Sequence, residues 1–156
     1  GTVTVGQTVK IGYYTQEIAQ DKSAGIAYMD PNMRVIDYIK QTAEYVMTED
    51  GRVTASKMLE RFLFPPEEQY NFIGKLSGGE KQRVAMVRGI INQPKILFAD
   101  EPTANLDDEN AEIIIEMLNE LRKKGTAVVV ATHDKRFMEK EHPGIVSRFL
   151  VAPVLE

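Results

Sequence analysis

The chain has 156 residues, a formal charge of −4 and 43% hydrophobic residues, which fits one domain with a core of ordinary size. The acidic balance gives no electrostatic reason to expect nucleic-acid binding, and the absence of cysteine excludes a disulfide framework and a thiolate metal site and suits a reducing, cytoplasmic setting. No apolar run approaches the roughly 20 residues that cross a bilayer and no signal peptide opens the chain, so no direct membrane insertion is expected.

Residues 1–14 read as a β-hairpin: Val3 and Val5 alternate with Thr, Gly6-Gln7 offers a turn, and Val9, Ile11 and Tyr13 alternate again. Gln16 follows the second strand directly. Residues 18–33 read as loop, with Ser23-Ala24-Gly25 and Asp30-Pro31-Asn32. From Val35 the spacing predicts a helix with Val35, Ile39, Ala43 and Val46 on one face. A second helix is predicted after Thr54, with Met58, Leu59, Phe62 and Leu63 on one side and Pro65-Pro66 as its stop. A third starts at about Gly79, carries Val84, Val87 and Ile91, and ends before Pro94. Ile96-Leu97-Phe98-Ala99 is a continuous apolar run, the pattern of a strand covered on both faces. Asp107 and Asp108 can cap a fourth helix with an apolar stripe of Ile114, Met117, Leu118 and Leu121. Gly125 closes that helix beside Lys123 and Lys124, where cations suit the dipole. Ala127 to Ala131 reads as a second buried strand and 145–151 as a third. Strand, helix, strand at this spacing predicts a right-handed crossover and a parallel sheet, hence an α/β fold.

Three clusters carry chemistry. Leu76-Ser77-Gly78-Gly79-Glu80 stands where a loop enters a helix. Two glycines let backbone N–H groups approach an anion, Ser77 adds a hydroxyl, and a helix N-terminus favours negative charge; an ordinary Ser-Gly-Gly capping turn fits the pentapeptide equally well. Asp100 and Glu101 leave the carboxyl end of a buried strand, where parallel sheets present functional groups. There a carboxylate can hold Mg²⁺ through water, and a second can orient or deprotonate an attacking water. Thr132-His133-Asp134 leaves the next strand at the same edge, which brings His133 beside the pair.

The order of these motifs resembles the ATP-binding cassette family over nearly the whole chain. The resemblance implies a partial P-loop NTPase fold in three parts: hairpin and Q-loop over 1–16, helical subdomain over 34–75, and signature, Walker B, D-loop and switch histidine over 76–156. It also implies site roles. Leu76 to Glu80 looks like the signature motif, whose Ser77, Gly78, Gly79 and Glu80 contact the γ-phosphate of a nucleotide held by the opposing domain. Ile96 to Asp100 looks like the Walker B strand, with Asp100 serving Mg²⁺ and Glu101 as the catalytic carboxylate. Ala104-Asn105-Leu106-Asp107 looks like the D-loop, His133 like the switch histidine, and Gln16 like the Q-loop glutamine that links Mg²⁺ and water to the helical subdomain. The implied activity is ATP binding and hydrolysis driving a conformational cycle. The implied partners are a nucleotide and a second cassette or homodimer, with a ribosome or membrane permease depending on subfamily.

Two departures qualify that expectation. A P-loop needs Gly-x4-Gly-Lys followed by Ser or Thr, so that backbone N–H groups wrap the phosphates. The only Gly-Lys pair is Gly74-Lys75, followed by Leu76. Weak or absent ATP binding is therefore expected of the chain alone, and the strand position beside Ala127 to Ala131 is expected to be filled by 145–151 or by another chain. The second departure is a change of likeness. Residues 1–81 look like an ABC-F cassette, through Val9-Lys10-Ile11-Gly12-Tyr13-Tyr14-Thr15-Gln16-Glu17 and Met58-Leu59-Glu60-Arg61-Phe62-Leu63-Phe64-Pro65. From about Gln82 the chain looks like lipoprotein-export and cell-division transporter ATPases, through Val84-Ala85-Met86-Val87-Arg88 and Ala131-Thr132-His133-Asp134. An engineered chimera or truncated cassette without ATPase activity is the alternative this raises.

Overall fold

A computed structural model describes residues 9–14, 28–48, 50–104 and 106–139, with 138 and 139 described by backbone alone. Its main sheet has three parallel strands in the order β1 (Ile11–Tyr14), β4 (Ile96–Asp100), β5 (Ala127–Ala131). The register sets Ile11 opposite Ile96, and Ile96 and Asp100 opposite Ala127 and Ala131. The carboxyl ends of β4 and β5 therefore finish at one edge. On one face Tyr14, Leu97, Ala99, Val128 and Val130 are buried, packed against α3 (Gly78–Ile90) and α4 (Asp108–Lys123). A Cβ on Gly12 would come closer than 3.0 Å to the carbonyl oxygen of Gly89, so α3 lies on β1 through a contact only glycine permits.

The fourth helix forms as its sequence predicts. Asp107 caps it by accepting from Asn110 N at 2.8 Å, its stripe includes buried Ile114 and Leu118, and Gly125 follows at φ +92°. The third helix begins one residue earlier than predicted. The sheet is parallel across β4 and β5, as strand–helix–strand spacing requires.

The structure differs from the sequence expectations in three places. The first helix, α1, covers only Val35–Lys40. Tyr45–Thr48 (β2) and Gly51–Thr54 (β3) form an antiparallel hairpin, with Val46 opposite Val53. The physical reason is the tight turn that ends at Gly51, which pairs with Thr48 and takes φ +109°, flanked by runs rich in Tyr, Val and Thr. The expected helical subdomain thus contains a hairpin, and Val46 leaves the helical face assigned to it. Next, α2 spans Ala55–Arg61, capped by Thr54, whose hydroxyl accepts from Lys57 N at 3.2 Å. It ends before the prolines: Leu63 turns to φ +61° and is exposed instead of sharing the apolar side with buried Met58, Leu59 and Phe62. Finally, β4 is covered on one face only among the described residues. Phe98 is 39% exposed and stacks on Tyr13 of β1, with ring centroids 5.6 Å apart.

Beyond α2 the chain returns through buried Phe64 and Ile73. The side-chain amide of buried Gln69 donates to Ser56 O at 3.1 Å and Phe64 O at 2.9 Å, replacing the ladder that this irregular stretch lacks. α5 (Lys135–Glu139) follows β5. The first hairpin strand, Gln16 and the strand expected over 145–151 lie outside the described residues, as does whatever would pair the second edge of β5.

Candidate functional site

The first component is the start of α3. Ser77 is its N-cap, with its Oγ accepting from Glu80 N at 3.3 Å while Glu80 Oε2 accepts from Ser77 N at 2.7 Å. This reciprocal capping box satisfies two of the orphan groups of the helix start. The Ser77 N–H also holds the Glu80 carboxyl below its usual range. Gly78 and Gly79 occupy the first helical turn. A Cβ on Gly78 would meet nothing within 4 Å, and one on Gly79 would meet Leu106 at 3.2 Å. With Arg83, Leu106, Asp107 and Asn110, Ser77, Gly79 and Glu80 line an open cleft of about 400 Å³.

The second component is the exit of β4. Asp100 ends the strand with its side chain exposed. Glu101 is held at φ +45°, a left-handed conformation that is costly for a residue with a Cβ. Its N–H donates to Ala131 O at 2.7 Å, so the bend is pinned to the end of β5. The side chain then turns to the segment after β5. Glu101 Oε2 accepts from Thr132 Oγ1 at 2.9 Å, and Oε1 accepts from the His133 backbone N–H at 3.1 Å and from His133 Nδ1 at 2.7 Å. Since an ionised carboxylate only accepts, this geometry selects an Nδ1-protonated imidazole. Glu101 and His133 are thus in direct contact, with Asp100 one residue away.

The two components are fastened together by residues the sequence reading passed over. Gln82, buried in α3, donates through Nε2 to Ala104 O at 2.9 Å. Buried Arg83 donates through Nη1 to Asn110 Oδ1, with its guanidinium carbon 5.4 Å from the Phe64 ring centroid. Asn110 Nδ2 in turn reaches both oxygens of Asp107, at 2.8 and 2.9 Å, and the Asn110 N–H is first among the causes holding the Asp107 carboxyl below its usual range. A usable signal did exist. Gly79, Gln82 and Met86 recur at helical spacing, and a Gln on the face of a buried Met needs a partner.

Among the described residues no three His, Asp or Glu side chains gather to hold a metal ion. One exposed carboxylate, Asp100, still fits Mg²⁺, which keeps several waters and takes most other ligands from phosphates. Gln16 lies outside the described residues. No described helix is long and apolar enough to cross a membrane.

A family model described as ABC transporter matches residues 4–104. YfmR of Bacillus subtilis, described as an uncharacterized ABC transporter ATP-binding protein, is 41% identical over 158 residues, covering 96% of this chain and 23% of YfmR. The cell division ATP-binding protein FtsE of Streptococcus pneumoniae is 34% identical, covering 75% of this chain and 53% of FtsE. The lipoprotein-releasing system ATP-binding protein LolD of Legionella pneumophila is 42% identical over 59% of this chain and 40% of LolD. This chain therefore spans about half or less of the length of these relatives. Among solved structures, the dimeric ATP-binding cassette MJ0796 bound to ADP and Pi superposes with a TM-score of 0.62 at 26% identity, over 82% of this chain and 54% of that one. The likeness to lipoprotein-export and cell-division ATPases thus has counterparts in LolD and FtsE. The ABC-F likeness and a join near Gln82 are carried by none of these matches, and YfmR aligns across both halves. With an ABC-type α/β fold and a matching family model over most of its length, the chain belongs to the ABC transporter ATPase family.

Proposed function

We propose that this chain supplies the signature, carboxylate and switch elements of an ATP-binding cassette that binds MgATP and couples its hydrolysis to a conformational cycle. The observation that carries the reading is the Glu101–His133 contact at the carboxyl edge of β4 and β5, with the capped start of α3 fastened to the same loop through Gln82 and Ala104. The roles follow from position. Glu101 is the carboxylate that orients and deprotonates an attacking water. His133 presents its exposed ring to the terminal phosphate. Asp100, with Gln16, serves Mg²⁺, which when bound would neutralise charge on the phosphates. Ser77 and the N–H groups of Gly78 and Gly79 offer donors to a phosphate held by a second cassette, with Glu80 fixing the cap and Asp107 the adjoining loop.

In the described arrangement the Glu101 carboxylate is engaged by Thr132 and His133. Oε1 already accepts twice from His133, whereas Oε2 accepts only from Thr132 and keeps acceptor capacity for an attacking water. None of the 156 residues forms a Gly-x4-Gly-Lys-Ser/Thr stretch, so tight phosphate cradling falls to a P-loop outside them, and this chain alone binds MgATP weakly. The partner is a second cassette, in line with the dimeric form of MJ0796, and the setting is cytoplasmic.

Two experiments test this. Calorimetric titration of the chain with MgATP should show no micromolar binding; micromolar binding abolished by Ser77→Arg would overturn the division of labour. Mixing with a P-loop-bearing cassette of the family should give association that needs MgATP and is lost in Ser77→Arg, as read by sedimentation velocity. Nucleotide-independent association, or none, would sink the reading. Where the chain fused to a P-loop segment of the family turns over ATP, Glu101→Gln should remove most turnover and spare binding. Turnover unaffected by that change would refute the role given to Glu101, and association with no turnover in the unmodified chain would favour the non-catalytic alternative. A ribosomal role, drawn from the ABC-F likeness of residues 1–81, requires co-sedimentation with ribosomes at physiological salt.

A further inference from the structure

The segment after β5 contains a guanidinium that touches neither Glu101 nor His133 yet governs the residues around them. Arg136 Nε lies 3.0 and 2.9 Å from the two oxygens of Asp134, its Nη2 lies 2.6 Å from Oδ2, and its backbone N–H donates to Oδ1 at 2.9 Å. Arg136 Nη1 donates to Asp108 Oδ1 at 2.9 Å. Asp134 Oδ2 also accepts from Thr103 Oγ1 at 2.6 Å. The Asp134 N–H donates to Thr132 Oγ1 at 3.0 Å, and that hydroxyl in turn donates to Glu101 Oε2.

We propose that Arg136 is a positioning residue: by locking Asp134 between Thr103 and the first residue of α4, it holds Thr132 and His133 against Glu101. Its functional meaning rests on the reading of this rim as a nucleotide site. The geometry makes the case. Thr103 stands at the entry of the loop 104–107 and Asp108 at its exit, so one Arg–Asp pair ties both ends of that loop to the segment carrying the histidine. A forked guanidinium suits this because it fixes direction as well as charge. The two ties differ in strength. Asp108 is almost fully exposed, where an ion pair contributes little, whereas the Asp134 side chain is 16% exposed and takes most of the Arg136 donors. The Asp134 carboxyl is held down to about 2, first of all by the Arg136 side-chain hydrogen bonds.

The test uses the ¹⁵N-labelled full chain without nucleotide. In the unmodified protein the His133 ring should show the Nδ1-protonated signature, and its backbone amide should exchange slowly. Arg136→Met should erase the ring signature and raise His133 amide exchange by about tenfold or more, while the Val128 and Val130 amides of β5 stay unchanged. Arg136→Lys, which can keep one hydrogen bond to Asp134 but not the fork, should restore part of both. A uniform rise across β5 would mean a merely structural role and would overturn the proposal, as would an unchanged ring signal in Arg136→Met. Should Arg136→Met not fold, Asp134→Ala removes every side-chain acceptor for Arg136 on that residue and must give the same local loss, or the proposal falls. Neither measurement involves ATP, so a failed nucleotide reading and a failed positioning role are told apart.

Discussion

Replacing Gly12 by Ala tests how closely α3 approaches the sheet. The added Cβ would lie closer than 3.0 Å to the Gly89 carbonyl oxygen, and at 3.0 Å from both Leu97 Cδ1 and Pro94 Cγ. The tightest neighbour is backbone within α3, so no side-chain rotation relieves it and helix and strand must separate. Overpacking of this kind costs about 1–3 kcal/mol, and the entropic gain of Ala over Gly offsets roughly 0.5–1 kcal/mol of that. A backbone atom this close puts the case in the upper part of the overpacking range, roughly 2–3 kcal/mol, so the net loss of about 1–2.5 kcal/mol corresponds to a fall in Tm of about 2–10 °C for a chain of this size. The reciprocal change is milder. A Cβ on Gly89 would meet Tyr13 O at 3.2 Å, a contact a small shift can absorb, and the higher helix propensity of Ala returns up to ~1 kcal/mol. Thermal and urea unfolding followed by circular dichroism should therefore rank Gly12→Ala well below Gly89→Ala and the unmodified chain. A Gly12→Ala protein as stable as the parent, or a larger loss at Gly89, would refute the close-contact argument.

Other consequences follow from the same contacts. Ser77→Ala removes the hydroxyl of the capping box and should cost about 1 kcal/mol in urea unfolding, whereas Gly78→Ala, with open space around it, should leave stability within ~0.5 kcal/mol. Gln69→Leu strips the donors from Ser56 O and Phe64 O and should destabilise by about 1–3 kcal/mol in the same assay. Acid sensitivity is set in part by Asp134, whose carboxyl is lowered from 3.8 to about 2. A depressed folded value means its contribution is present above the unfolded value and is lost as the pH falls from about 4 to 2. Melting temperatures between pH 5 and 2 should show that loss in the unmodified protein and a shallower one in Arg136→Met; parallel curves would contradict the assignment.

The hairpin at Tyr45–Thr54 shows where periodicity misleads. Val35, Ile39, Ala43 and Val46 do fall at helical spacing, but a tight turn closed by Gly51 at φ +109° joins two β-prone runs, and turn chemistry outweighed a pattern that any four apolar residues can mimic. Leu63 fails for a related reason: its left-handed backbone turns it away from the side its spacing assigns. Asp107, by contrast, was legible as a cap because capping depends on a side chain and the few residues after it.

Local chemistry in the sequence determined that Ser77 and Asp107 can cap helices, where β4 and β5 run, and that Asp100, Glu101 and His133 leave neighbouring strands at one edge. Such features depend on near neighbours and on the direction of parallel strands. Only the tertiary structure decided that Glu101 bends to +45° to meet His133, that Gln82 grips Ala104, and that Arg136 closes on Asp134 and Asp108. Those contacts join residues 22 to 32 positions apart, apart from the local Arg136–Asp134 pair. Their partners are chosen by how the helices pack on the sheet, a choice no local spacing records.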